Sequence, residues 1–120
     1  MRPLLIISAL ALAVTAVAQP ATAAGVRMFV RHDVADYATW RKAYDAFRPT
    51  QKQMGVTAQA VYQAMDGPNS VTVTHDFTNA EKAKAFASSP DLKAAMENAG
   101  VKGAPQIWFT IRAEQRRRQR

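Results

Sequence analysis

Apolar and polar positions alternate with two different periods along this chain, and each change of period marks an element. Residues 27–32 alternate strictly, with Met28, Val30 and His32 on one side and Phe29 and Arg31 on the other, as in a strand with two unlike faces. After a short connection at 33–35 the period lengthens. Tyr37, Trp40, Tyr44, Phe47 and Met54 recur at spacings of three, four, three and seven, which puts them on one stripe of an α-helix. Asp36 stands where an N-cap is needed, because its carboxylate can accept from the free N–H groups of the first turn. Arg41, Lys42, Asp45, Arg48 and Lys52 fall mostly off the stripe and are expected to be solvated. Pro49 removes one i→i−4 bond, so a kink or restart is expected there, with Gly55 as the stop.

Alternation returns over 56–65. Val56, Ala58, Ala60, Tyr62 and Ala64 share one face; Thr57, Gln59, Val61, Gln63 and Met65 share the other. Residues 66–69 (Asp-Gly-Pro-Asn) carry turn chemistry, and 70–77 alternate again with Val71, Val73 and His75 on one side, so the two segments predict a hairpin. Residues 78–81 read as a capping box opening a helix through 87. Ser89 and Pro90 then supply a cap and a first helical position for another helix through 98, closed by Gly100. Residues 103–105 are expected to turn into a last strand at 106–112, with Ile107, Phe109 and Ile111 opposite Gln106, Trp108, Thr110 and Arg112. The order is β-α-β-β-α-β with a split second helix, an α+β ferredoxin-like arrangement of one antiparallel sheet with helices on one side. The uncovered sheet face would carry Phe29 and Trp108 or their opposite neighbours, too much apolar surface to leave wet. A second copy laid face to face would bury it, which predicts a homodimer.

Composition changes this picture mainly at the ends. Arg2 followed by the apolar run 4–18 reads as a signal peptide, with a small-residue cleavage site after Ala23 or Ala24. The alternative is a membrane anchor, but the run falls short of the ~20 apolar residues that span a bilayer. Residues 1–23 are therefore expected to be removed on export to a periplasmic or secreted location of a bacterial cell, leaving one domain at 25–112. No cysteine occurs anywhere, which excludes disulfides, thiol chemistry, thiolate metal sites and lipidation after the apolar run. The net charge is +7, and residues 113–120 form a basic tail with four arginines against one glutamate, suited to acidic surfaces rather than to a specific nucleic acid.

The wording of these elements resembles the dimeric α/β-barrel superfamily, near the antibiotic-biosynthesis monooxygenase-like and small cyclase-like domains. The likeness rests on the first strand with His32, the helix opening Asp36-Tyr37-x-x-Trp40-x-x-x-Tyr44-Asp45, and Gly55-Val56 before the second strand. It continues in the turn Asp66-x-Pro68-Asn69, in His75-Asp76-Phe77, and in the run 85–96 with Phe86, Ser89-Pro90, Leu92 and Ala95-Met96. The resemblance implies a pocket between sheet and helices. It also implies relatives that include cofactor-independent monooxygenases of aromatic substrates, haem-degrading enzymes and proteins without known catalysis. The monooxygenase pocket carries an Asn, Trp, Tyr and Arg set; on the first strand here the asparagine position is taken by Met28, Val30 or His32.

The candidate catalytic residues are His32, His75 and Tyr44, and the candidate ligand-binding residues are Trp40, Tyr37 and Trp108. His32 and His75 are the only histidines, each near the C-terminal end of a strand, and two imidazoles can serve as acid and base or as metal ligands. A metal needs a third ligand, and Asp33 and Asp76 point to the opposite strand face, so no metal is assigned. The same histidines can equally be structural, hydrogen-bonded to backbone or water. Trp40 and Tyr44 either stack an aromatic ligand or fill the core. No nucleophile elbow, phosphate loop, zinc signature or paired carboxylate occurs, and no cofactor is assigned. The expectation is a monooxygenase-like enzyme acting on a small aromatic or quinol substrate; the alternative is a non-catalytic ligand- or protein-binding module, or a purely structural domain.

Overall fold

The computed structural model describes residues 25–114. Its elements run β1 (Val26–Val34), α1 (Tyr37–Gln53), β2 (Ala58–Ala64), β3 (Gly67–Phe77), α2 (Ala80–Ala87), α3 (Pro90–Asn98) and β4 (Val101–Ile111). The four strands form one antiparallel sheet in the order β2-β3-β1-β4. This is the α+β ferredoxin-like architecture. The predicted leader and its cleavage site, and the tail from residue 115 onward, lie outside the described residues.

The period-2 pattern sorts side chains onto the two faces as expected. Val26, Met28, Val30, His32 and Val34 of β1 and Val71, Val73, His75 and Phe77 of β3 are buried on one face. Trp40 and Tyr44 from α1, Ala83 and Phe86 from α2 and Leu92 from α3 join the same core. Phe86 is its most enclosed aromatic, packed against Phe77, Phe47 and edge-on to His75. The other face carries Phe29, Arg31, Thr72, Tyr62 and Trp108, and no element covers it among the described residues.

Several boundaries differ from the sequence reading. β1 runs two residues past His32 because Val34 still has a buried slot and pairs with Val101. β4 begins at Val101, not after a turn at 103–105. Gly103, at φ +71°, lets the strand bend without breaking, opposite a register shift between Arg31 and Asp33. β2 is shorter than 56–65, while the hairpin turn is only Met65–Asp66, with Gly67, Pro68 and Asn69 already in β3. Asn69 instead serves α1, its side-chain oxygen accepting from the Tyr37 N–H at 2.9 Å. Pro49 does not end α1, which continues to Gln53; the proline is exposed and forfeits one intrahelical bond in an otherwise intact ladder.

The caps are mostly as read. Asp36 accepts from the Thr39 N–H and hydroxyl, both at 2.9 Å. Ser89 accepts from the N–H groups of Asp91 and Leu92 ahead of Pro90. For α2 the cap is Asn79, one residue later than the capping box proposes, with its side chain accepting from Lys82. Gly55 closes α1 at φ +101°, a conformation that L side chains rarely adopt.

Candidate functional site

The stripe of α1 faces the buried side of β1 and β3, and the gap between them is lined by Val30, His32, Trp40, Tyr44, Gln51, Val73 and His75. Ala43 and Phe47, with Leu92, Ala95, Met96 and Ala99 of the α3 region, complete its wall. The enclosed space is about 30 Å³. That is room for one or two waters, an order of magnitude below the ~300–1,000 Å³ of sites that hold drug-sized ligands.

Two histidines reach this gap, but they are not a pair. β1 and β3 are antiparallel, so their C-terminal ends lie at opposite ends of the sheet: His32 is opposite Val71, whereas His75 is opposite Met28. Val30 and Val73, themselves paired, lie between them. The two imidazoles, on neighbouring strands, are thus four register positions apart and do not meet as a pair. The cavity instead has an apolar middle and an imidazole towards each end. No group of three His, Cys, Asp or Glu side chains forms among the described residues.

The two ends differ chemically. Tyr44 Oη lies 3.1 Å from His75 Nε2 and 2.8 Å from the side-chain amide of Gln59 on β2. That amide is best satisfied with its oxygen accepting from the Arg48 guanidinium and its nitrogen donating to Gln51 Oε1 and Tyr44 Oη. At the other end His32 packs edge-on against Trp40, ring centroids 5.6 Å apart, and neither of its ring nitrogens has a partner among the described residues. His75 Nδ1 is likewise unpartnered. Both rings are almost wholly enclosed, 4% and 2% exposed.

Burial dominates the electrostatics. It pushes His32 down to about 4 against the pull of Asp33, with Arg31 adding to the drop. Burial likewise lowers His75 to about 4, opposed by Asp76. The Tyr44 hydroxyl is pushed up to about 12 by burial, against the pull of Gln51, Arg41 and Arg48. At neutral pH the site therefore holds two neutral imidazoles and a protonated phenol. Tyr44 is a hydrogen-bond donor there and not a base; His32 keeps a free lone pair.

The other candidates fall differently. Trp40 is 2% exposed and stacks on Tyr44 at 4.8 Å, so it is both core and cavity wall. Tyr37 stands at the entrance to the stripe, tilted against Trp40, its hydroxyl 3.5 Å from the Arg41 guanidinium. Trp108 is not in the cavity. The β4 register puts it on the uncovered sheet face, stacked on Phe29 at 5.1 Å and 4°. Three residues of the site were not singled out in the sequence. Gln51 continues the stripe four positions after Phe47, so a polar residue on an apolar face was the available signal. Gln59 lies on the face of β2 that turns inward. Arg48 sits four residues after Tyr44 and eight after Trp40; its exposed position concealed that its head reaches Gln59.

A second, more open concavity of about 680 Å³ lies at the far end of the sheet beside Gly25, where the described chain begins. Its charged wall is already internally satisfied, Arg27 donating to both oxygens of Asp76 at 2.7 and 3.1 Å. It is the poorer candidate.

No protein-family model and no curated protein matches the sequence. Solved structures do match the fold. One is a Bordetella bronchiseptica structure carrying the antibiotic biosynthesis monooxygenase name, 14% identical with TM-score 0.66, covering 75% of this chain and 98% of its own. Another is SnoaB, a cofactor-independent oxygenase from Streptomyces nogalater, 13% identical with TM-score 0.63, over 75% of this chain and 94% of its own. A third is the ActVA-Orf6 monooxygenase of Streptomyces coelicolor in complex with nanaomycin D. It is 18% identical with TM-score 0.55, over 74% of this chain and 88% of its own. Identities this low carry the architecture and not the chemistry. The chain thus has the ferredoxin-like fold of the antibiotic biosynthesis monooxygenase proteins.

Proposed function

We propose that the gap beneath α1 is a reaction site for cofactor-independent oxygenation of a small aromatic or quinol substrate. The observation that carries this reading is chemical: two deeply buried histidines line a largely apolar gap, and three of their ring nitrogens have no hydrogen-bond partner among the described residues. Unpaired buried polar atoms cost on the order of 1–3 kcal/mol each, and a ligand with oxygen atoms would satisfy them. In this reading the aromatic body lies over Val30 and Val73 against Trp40. His32 accepts the substrate's proton, and His75, held by Tyr44, stabilises through its free N–H the oxygen that becomes anionic. Dioxygen then attacks the carbanion. One oxygen atom is retained on the substrate carbon and the other leaves as water; the four electrons come from the substrate itself, from the methylene of an anthrone or from a ring C–H and the two hydroxyls of a quinol, so no external reductant enters.

The enclosed volume of about 30 Å³ requires a substrate to displace side chains, and Met96 and Leu92 on α3 are the ones that can yield. The same volume is what supports the second reading, a binding or structural domain without turnover. Incubating the protein with a hydroxylated anthrone or a quinol and following oxygen uptake separates the two. Uptake that disappears in His32→Ala and falls in Tyr44→Phe supports catalysis; uptake no greater than in buffer sinks it for that substrate class.

The assembly belongs to the same proposal. Trp108 and Tyr62 are 42% and 56% exposed on the uncovered face, and a second copy of the chain placed there would remove them from water. Sedimentation showing only monomer at micromolar concentration would contradict this homodimer. Export is proposed from the apolar run 4–18 and the cleavage site after Ala23 or Ala24. N-terminal sequencing of periplasmic protein should then begin at Ala24 or Gly25. The arginine tail is proposed to touch acidic surfaces, and binding to anionic vesicles that vanishes on its removal is the check.

A further inference from the structure

Arg48 is on the surface, His75 is in the core, and one hydrogen-bonded chain joins them. A guanidinium can only donate, so it fixes the orientation of the Gln59 amide: the oxygen faces Arg48, with Oε1 2.8 Å from one terminal nitrogen. The Gln59 nitrogen is thereby turned inward, where it donates to Gln51 Oε1 and to Tyr44 Oη, the latter at 2.8 Å. Tyr44 Oη, already accepting, has its own proton left to give. Gln51 also lies beside the Tyr44 hydroxyl, but its Oε1 already accepts from Gln59, which leaves His75 Nε2 at 3.1 Å to take the proton. To accept, Nε2 must be the unprotonated nitrogen, and a neutral ring then carries its proton on Nδ1.

We infer that Arg48 and Gln59 act as positioning residues that lock His75 in the Nδ1–H tautomer through Tyr44. Free histidine favours the opposite tautomer, Nε2–H, so the inference names the state that the ring would not choose alone. The consequence for the cavity rests on the reading above. If a ligand binds, Nδ1–H is the group that His75 has left to offer, because no protein atom accepts from it. The ligand atom at this end is then an acceptor, a carbonyl or phenolate oxygen. The acceptor nitrogen available for a protonated hydroxyl belongs to neutral His32 at the other end.

The test needs neither ligand nor turnover, so its failure is distinguishable from failure of the oxygenase reading. The chain has only two histidines, and ring nitrogen shifts of the full-length protein at neutral pH, assigned with His32→Gln, report both tautomers directly. Wild type should place the His75 proton on Nδ1. In Gln59→Glu, Tyr44 must turn its proton towards the carboxylate, so His75 should switch to Nε2–H. The exposed substitution Arg48→Met leaves the core intact and should release the lock, giving a mixture. An Nε2–H ring in wild type overturns the inference. So does an Nδ1–H ring that persists unchanged in both Gln59→Glu and Arg48→Met.

Discussion

The two ends of the cavity are built from the same residue type and treated in opposite ways. At one end His75 is held by Tyr44, Tyr44 by Gln59, and Gln59 by a surface arginine. At the other, His32 is just as enclosed, yet its only specific neighbour is the edge-on face of Trp40, and both nitrogens are idle. A fold seeking only stability would place an aliphatic residue at His32, because a buried polar group without partners is a net loss. The difference teaches that burial does not rank histidines by role. The networked ring is explained by its protein partners; the idle ring has none among the described residues.

The largest effect is expected in the core behind the His75 end. Phe86→Ala removes the ring packed on His75, Phe77 and Phe47 and should cost ~3–5 kcal/mol in urea unfolding. Loss of under ~1 kcal/mol would mean that the core is looser than described.

The pH dependence comes next. Unfolded, both rings titrate near ~6.5; folded, both sit at about 4. Between those values the unfolded chain binds more protons. Stability is therefore full above ~6.5, falls as the pH drops towards about 4, and gains no further loss from these rings below it. Allowing for water entry around the rings, the two together should account for on the order of 2–4 kcal/mol. Removing His32 should take away about half of this slope.

The contrast itself is tested by apolar replacement. His75→Leu strands the Tyr44 hydroxyl and should destabilise by ~1–3 kcal/mol, and Tyr44→Phe, which strands His75 Nε2, by a similar amount. His32→Leu strands nothing, and its melting temperature should be unchanged or higher, even as any oxygen uptake is lost. Equal destabilisation by the two histidine variants would break the distinction. The smallest effect is expected on the outer face. Arg27→Met removes an exposed ion pair with Asp76 and should change subunit stability by less than ~1 kcal/mol.

Much of this was legible in the sequence because it depends on period. Alternation along β1 and β3 grouped His32 with Met28 and Val30, and His75 with Val71 and Val73, without saying which face meets the helices, and the α1 stripe grouped Trp40 with Tyr44. What periodicity cannot carry is where along a partner strand each residue lands. Whether His32 and His75 are neighbours depends on strand direction and register, and the antiparallel pairing separated them. Trp108 was left open for a related reason: alternation told it apart from Phe109 but not which of the two faces the helices, and the register puts it with Phe29 on the uncovered side. Arg48 and Gln59 were missed because their link is tertiary. One is on a helix's exposed side and the other on a neighbouring strand, and only the assembled fold brings a cation to the amide that orients the site.

The central claim is that the cavity, and specifically its idle His32 end, receives a hydroxylated aromatic ligand. Titrating such a ligand while following the ring nitrogens of His32 and the indole N–H signals of Trp40 and Trp108 tests it most directly. The account predicts saturable shifts at His32 and Trp40 with Trp108 unmoved. Shifts confined to Trp108 on the outer face, or none at all, would contradict it.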